Sequence, residues 1–66
     1  MTRDEIAALP FRDLLQAMGL TQSACSRRFE IPLRTVQHWA GGDRECPVYL
    51  RLMMAELAGI YERTEG

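Results

Sequence analysis

The chain has only two cysteines, Cys25 and Cys46, and neither has a second Cys/His pair beside it. Tetrahedral zinc takes about four such ligands, so the pattern argues against a metal site, and no cofactor is expected. Spacing alone leaves a disulfide open, although nothing suggests secretion. The start, MTRDEIAALP, lacks the basic segment and long apolar run of a signal peptide. No run of about 20 apolar residues is present to span a bilayer. Alternating apolar and polar runs rich in β-branched residues are also missing, which argues against a β-sandwich. Paired carboxylates, an activated nucleophile and a glycine-rich phosphate loop are absent, so no enzymatic activity is expected. These absences leave a cytoplasmic protein without a membrane span as the expectation.

What is present points to helices. The chain has 66 residues, 47% of them hydrophobic, enough for one small domain over 1–66. Domains of this size often need a disulfide, a metal or a partner subunit for useful stability. Net charge is −1, which weighs slightly against a nucleic-acid partner, but its distribution says more. Between residues 20 and 44, Arg27, Arg28, Arg34 and Arg44 face only Glu30 and Asp43, whereas both flanking segments are net acidic. All of that central positive charge is arginine, whose planar fork suits phosphate and base-edge contacts.

Thr2 and Glu5 have the spacing of a capping box, predicting a short helix over about 3–9. Pro10 suits the first turn of a second helix. On it Phe11, Leu14, Leu15 and Met18 share one face, and Gly19 is a natural stop. Thr21 is a good N-cap for a third helix through Phe29. Its inward positions are Cys25 and Phe29, while Ser23, Ala24, Arg27 and Arg28 lie outside. After Glu30 and Ile31, Pro32 opens a fourth helix closed by Gly41-Gly42. Cys46 is expected at the cap of a last helix over about 47–62, begun by Pro47. That helix is apolar over a wide arc including Tyr49, Leu50, Met53, Met54, Leu57, Ile60 and Tyr61, more than one core-facing stripe needs. The excess suggests a subunit interface at Leu50, Met54, Leu57 and Tyr61, or else a core that wraps this helix more fully. Gly59 weakens it by ~1 kcal/mol relative to alanine and favours fraying near its end.

The stretch IPLRTVQHWAGG, residues 31–42, has two opposed faces. Val36 and Trp39 point one way, with Cys25, Phe29 and Ile31 completing the inward set. Leu33, Arg34, Gln37, His38 and Gly41 point the other way. The order helix, short turn, helix over about 21–41 is now explicit in LTQSACSRRFEIPLRTVQHWAGG. This segment resembles the helix-turn-helix of the lambda-repressor/Cro-like (XRE) family. Shared are Leu-Thr-Gln, a small residue mid-helix, an aliphatic residue at the turn, Thr-Val, an aromatic and then glycine. DRECP resembles that family's polar loop closed by proline, and the likeness extends over about 11–58. Two residues depart from the pattern. Glu30 stands where the family usually has glycine, at a position tending to positive φ, where glutamate adds ~1 kcal/mol of strain. Ser26 replaces the usual alanine and is small enough to keep the helices close.

The resemblance implies an all-α, compact four- to five-helix lambda-repressor-like domain, and a sequence-specific DNA-binding transcriptional regulator of phage or prokaryotic type. A major groove ~12 Å wide admits one helix with its side chains. Arg34 would then pair with guanine, Gln37 with adenine, Leu33 with a thymine methyl, and His38 with a base according to its tautomer. The resemblance carries backbone-contact roles to Gln22 and Arg44. Thr21 and Ser23 offer hydroxyls or N–H groups to phosphate at a helix N-terminus, and Arg28 is a further phosphate candidate. Plainer readings stand beside these. Arg27 and Arg28 also fit a solvated helix face, Leu33 a tolerated exposed residue, and Trp39 a core side chain. The expected partners are a pseudo-palindromic double-stranded DNA operator, a second copy of the chain and, for an antitoxin, a cognate toxin. The alternative function is a protein-binding adaptor or inhibitor that uses the apolar last helix.

Overall fold

The computed structural model describes residues 1–62; the last four residues of the expected domain lie outside the described residues. Five helices follow one another: α1 (Arg3–Ala8), α2 (Phe11–Met18), α3 (Gln22–Phe29), α4 (Leu33–Gly41) and α5 (Val48–Ala58). No strand occurs among the described residues, as the missing β pattern led us to expect.

Most helix boundaries follow from local chemistry. The α1 capping box forms: Glu5 N–H donates to Thr2 Oγ1, while Thr2 N–H donates to the Glu5 carboxylate at 2.8 Å. That backbone N–H, helped by the Thr2 side chain, holds the Glu5 carboxyl below its usual range. Thr21 Oγ1 caps α3 by accepting from Ala24 N–H at 3.0 Å. Pro10, Pro32 and Pro47 are N-caps, one position before the first turn in which proline was expected. Their φ values lie between −54° and −56°, so the ring presets the entry to each helix.

The four later helices end alike. Gly19, Glu30, Gly42 and Gly59 all take the left-handed conformation. One residue further on, a backbone N–H reaches back to the last turn: Leu20 to Leu15, Ile31 to Ser26, Asp43 to His38 and Ile60 to Ala55. This is the Schellman arrangement, which satisfies carbonyls that a helix end leaves open. It also corrects the last helix. α5 stops at Ala58, not near residue 62, because Gly59 turns the backbone and Ile60 N–H closes the end. Ile60 and Tyr61 pack against the core from outside the helix.

The core joins Ile6, Phe11, Leu14, Leu15, Met18, Cys25, Val36, Trp39, Ala40, Cys46, Met54 and Ala55. α2 and α3 pack on α4, and α1 packs on α5. The Phe11 and Trp39 rings meet edge to face, with centroids 5.3 Å apart, a favoured aromatic geometry. Phe29 and Ile31, expected inside, are only half-buried at the edge of this core. Cys46 does not cap α5; its side chain is core, and Pro47 takes the cap. Both cysteines are free.

Arg51, on α5, is buried with 9% exposure. Its Nε donates to the Cys46 carbonyl at 3.1 Å and its Nη1 to the Ile6 carbonyl at 3.1 Å and to the Leu9 carbonyl. One side chain thus ties α1, α5 and the α4–α5 loop together. Hydrogen bonds from a charged donor contribute about 1.5–3 kcal/mol, and orphaned carbonyls carry a penalty when the donor is removed. Arg51→Ala should therefore lower unfolding free energy by about 3 kcal/mol in urea titration. Arg51→Lys should recover only part of this, because an ammonium cannot reproduce the planar fork. A loss below about 1 kcal/mol for alanine would mean that water replaces the guanidinium there.

Candidate functional site

α4 is held from behind and open in front. Val36, Trp39 and Ala40 are buried against the core, while Leu33, Arg34 and Gln37 are exposed. Arg34 and Gln37 make no hydrogen bond or ion pair with any described residue. These polar side chains are therefore left to solvent on a helix whose other side is held by the core. Leu33, 40% exposed, lies beside them at the α4 N-terminus.

α3 and α4 are separated only by Glu30, Ile31 and Pro32. Glu30 adopts φ 54° and ψ 42°, so the strain foreseen for glutamate at this position is present. Ser26 offsets part of it in a way its size alone did not reveal. Its hydroxyl donates to the Ile31 carbonyl at 2.6 Å, while its own carbonyl accepts from Ile31 N–H. The usual alanine has no such donor. The turn that sets the angle of α4 is therefore pinned from both sides of Ser26.

The remaining site residues divide into three groups. Thr21, Gln22 and Ser23 form the start of α3, with Thr21 and Ser23 exposed and Gln22 half-buried. Arg44, in the loop after α4, is exposed and its guanidinium has no partner among the described residues. Arg28 differs: its guanidinium donates to the Leu57 carbonyl at 2.7 Å and lies 5.4 Å from the Phe29 ring. It fastens α3 to the last turn of α5, where a helix leaves carbonyls unpaired. That bond uses one terminal nitrogen of a side chain that is otherwise exposed. Arg27 remains exposed and unpaired among the described residues.

His38 is half-buried, and its Nδ1 lies 3.2 Å from Asp43 Oδ2. Its carbonyl also accepts from the N–H groups of Asp43 and Arg44. The expected base-reading residue is thus joined to the loop that carries Arg44.

The last helix needs a second correction. Met54 is 2% exposed and belongs to the core, so it cannot form part of an outward interface. Leu50 and Tyr61 are half-buried. The exposed apolar stripe is instead Tyr49 (65%), Met53 (56%) and Leu57 (63%), spaced four apart along one side of α5. Of the four expected interface residues, only Leu57 lies on it.

Neither cysteine is an activated thiol. Burial raises the Cys25 thiol and pushes that of Cys46 up to about 11, whereas reactive thiols have lowered values. No group of three His, Cys, Asp or Glu side chains among the described residues is placed to hold a metal ion. No described helix is long and apolar enough to cross a membrane. Compared with protein-family models, characterised proteins and solved structures, the chain matches none.

The turn is the part of the site most open to direct measurement. Left-handed glutamate carries ~1–2 kcal/mol of strain, and glycine returns somewhat less through greater freedom in the unfolded chain. Glu30→Gly should raise unfolding free energy by about 0.5–1 kcal/mol. An unchanged or lowered value would show that the Ser26 bonds already relieve the strain.

Proposed function

We propose that the protein is a sequence-specific DNA-binding regulator of the lambda-repressor/Cro-like (XRE) type, with α4 as the helix that enters the major groove. One observation carries this reading: Leu33, Arg34 and Gln37 are exposed and unengaged on a helix whose opposite side is locked by Val36 and Trp39. A helix of nine residues is about 13 Å long and enters a groove best by its N-terminal residues. Leu33 and Arg34 are among these, and Gln37 follows one turn further along the helix. Arg34 donates both arms of its fork to guanine, Gln37 reads adenine through its amide, and Leu33 meets a thymine methyl. On this reading Thr21, Gln22, Ser23 and Arg44 contact the phosphate backbone.

The regulator works in the cytoplasm as a homodimer on a pseudo-palindromic site, its two α4 helices about one helical turn apart. The second copy packs on the Tyr49, Met53 and Leu57 stripe. Occupying a promoter is by itself a sufficient mechanism for repression, including repression of its own gene. The same exposed stripe favours a second reading, a protein-binding adaptor or antitoxin that covers it with an apolar partner surface such as that of a toxin.

Three measurements test this reading. Arg34→Ala should weaken binding to DNA selected by the parent by about 1–3 kcal/mol while leaving the thermal unfolding midpoint unchanged. Affinity should also fall steeply as salt rises, since each phosphate contact releases counterions. Parent-like binding by Arg34→Ala would remove α4 from the groove, and a salt-insensitive interaction would favour a protein partner. In sedimentation, Met53→Asp together with Leu57→Asp should shift a dimeric parent to monomer. A parent already monomeric at about 100 μM, far above common dimer dissociation constants, would overturn the paired arrangement.

A further inference from the structure

The end of α4 breaks a pattern kept by the other helices. After the left-handed residue closing α2, α3 and α5 comes Leu20, Ile31 or Ile60, each partly buried against the core. An apolar residue there is the usual companion of this helix ending. After Gly42 the chain instead has Asp43, exposed and polar. The backbone bond is kept, with Asp43 N–H donating to the His38 carbonyl at 3.1 Å. In place of an apolar contact, the Asp43 carboxylate meets His38 Nδ1 at 3.2 Å.

A carboxylate only accepts hydrogen bonds, so Nδ1 is the nitrogen that carries the proton. In neutral imidazole the other nitrogen, Nε2, is then an acceptor, because the partner of one nitrogen fixes the state of the other. Nε2 has no partner among the described residues. His38 is one position beyond Gln37 on α4. Resting on the DNA-reading role argued above, we propose that Asp43 is a specificity-determining residue. By holding the proton on Nδ1, it makes His38 present an acceptor to the groove. The base chosen there offers an exocyclic amino group, cytosine N4 or adenine N6. Without Asp43 the ring can turn its N–H outward and select acceptors such as guanine N7 or O6.

The test has an arm that does not use DNA. Long-range nitrogen–proton spectra of the intact chain are recorded at about pH 8, above the ordinary imidazole range. They should show the Nδ1–H tautomer in the parent and in Asp43→Asn, whose amide oxygen still accepts. Asp43→Ala should show loss of that preference. An Nε2–H ring in the parent would overturn the proposal. In the second arm, parent and variants select sites from a random duplex pool. The parent and Asp43→Asn should favour cytosine or adenine at one half-site position. Asp43→Ala should lose that preference by about tenfold at this position alone, the size of one good base contact. A site preference unchanged in Asp43→Ala, or altered equally at every position, overturns the role of Asp43 and leaves DNA binding standing. A parent that selects no DNA overturns the DNA reading and this inference with it.

Discussion

A single buried guanidinium holds the two ends of the domain to its middle. Arg51 gathers carbonyls from α1 and from the α4–α5 loop while itself belonging to α5. A core this small supplies only a few kcal/mol of net stability, so a charged group left unsatisfied inside it would be intolerable. Three carbonyl acceptors satisfy it without a carboxylate, two of them in or just past α1. Helix C-terminal carbonyls carry partial negative charge, which makes this a favourable place for a cation. The same bonds fix the path of the loop after α4. That loop begins with Asp43 and Arg44, whose N–H groups bond to the His38 carbonyl, and ends at Cys46, whose carbonyl Arg51 holds.

Arginine serves three separate purposes in this chain. Arg51 is inside and structural. Arg28 lies across the surface from α3 to the α5 terminus, stacked near Phe29. Arg27, Arg34 and Arg44 are exposed and unpaired among the described residues. A count of charges along the sequence treats these alike, which is why Arg28 was expected to meet phosphate. The distinction rests on whether an unpaired helix-end carbonyl lies within reach, and that depends on how α3 and α5 are packed.

Much of the fold was legible because its determinants are local. Thr2 with Glu5, Thr21, and the glycines at 19 and 42 announce helix ends through chemistry within a few residues. The apolar face of α2 follows from periodicity alone. Glu30 could be flagged as a left-handed residue because its place in the turn resembled one where glycine is usual, and its φ of 54° bears this out. Less was legible in α5. Met53 and Met54 are adjacent and chemically identical, yet one is exposed and the other is core. On a helix apolar nearly all round, periodicity cannot choose the inner side; the burial of Arg51 does so, through contacts distant in sequence. Apolar Ile60 and Tyr61 continued the helical pattern past Gly59, although they reach the core from non-helical backbone. Of the candidate site, the free face of α4 was legible, because Val36 and Trp39 define its opposite. The bonds from Ser26 to Ile31 and from His38 to Asp43 cross helix ends and have no signature in composition.

The charge balance bears on how a DNA reader of this design would operate. With a net charge of −1, the whole molecule offers no general attraction to a polyanion, so non-specific binding has little to draw on. What remains is local: Arg12, Arg27, Arg34 and Arg44, exposed and unpaired among the described residues. Phosphate contacts from one copy alone would give weak binding. Affinity on the proposed reading therefore rests heavily on base-edge contacts from α4, whose geometry must be well fixed to be worth their full strength. That requirement matches where the structure spends its unusual bonds. Ser26 pins the turn before α4, Asp43 pins the end after it, and Phe11 with Trp39 braces its back. A second copy would double the base contacts at once, and this gives the exposed stripe on α5 a reason to exist in a domain with so little apolar surface to spare.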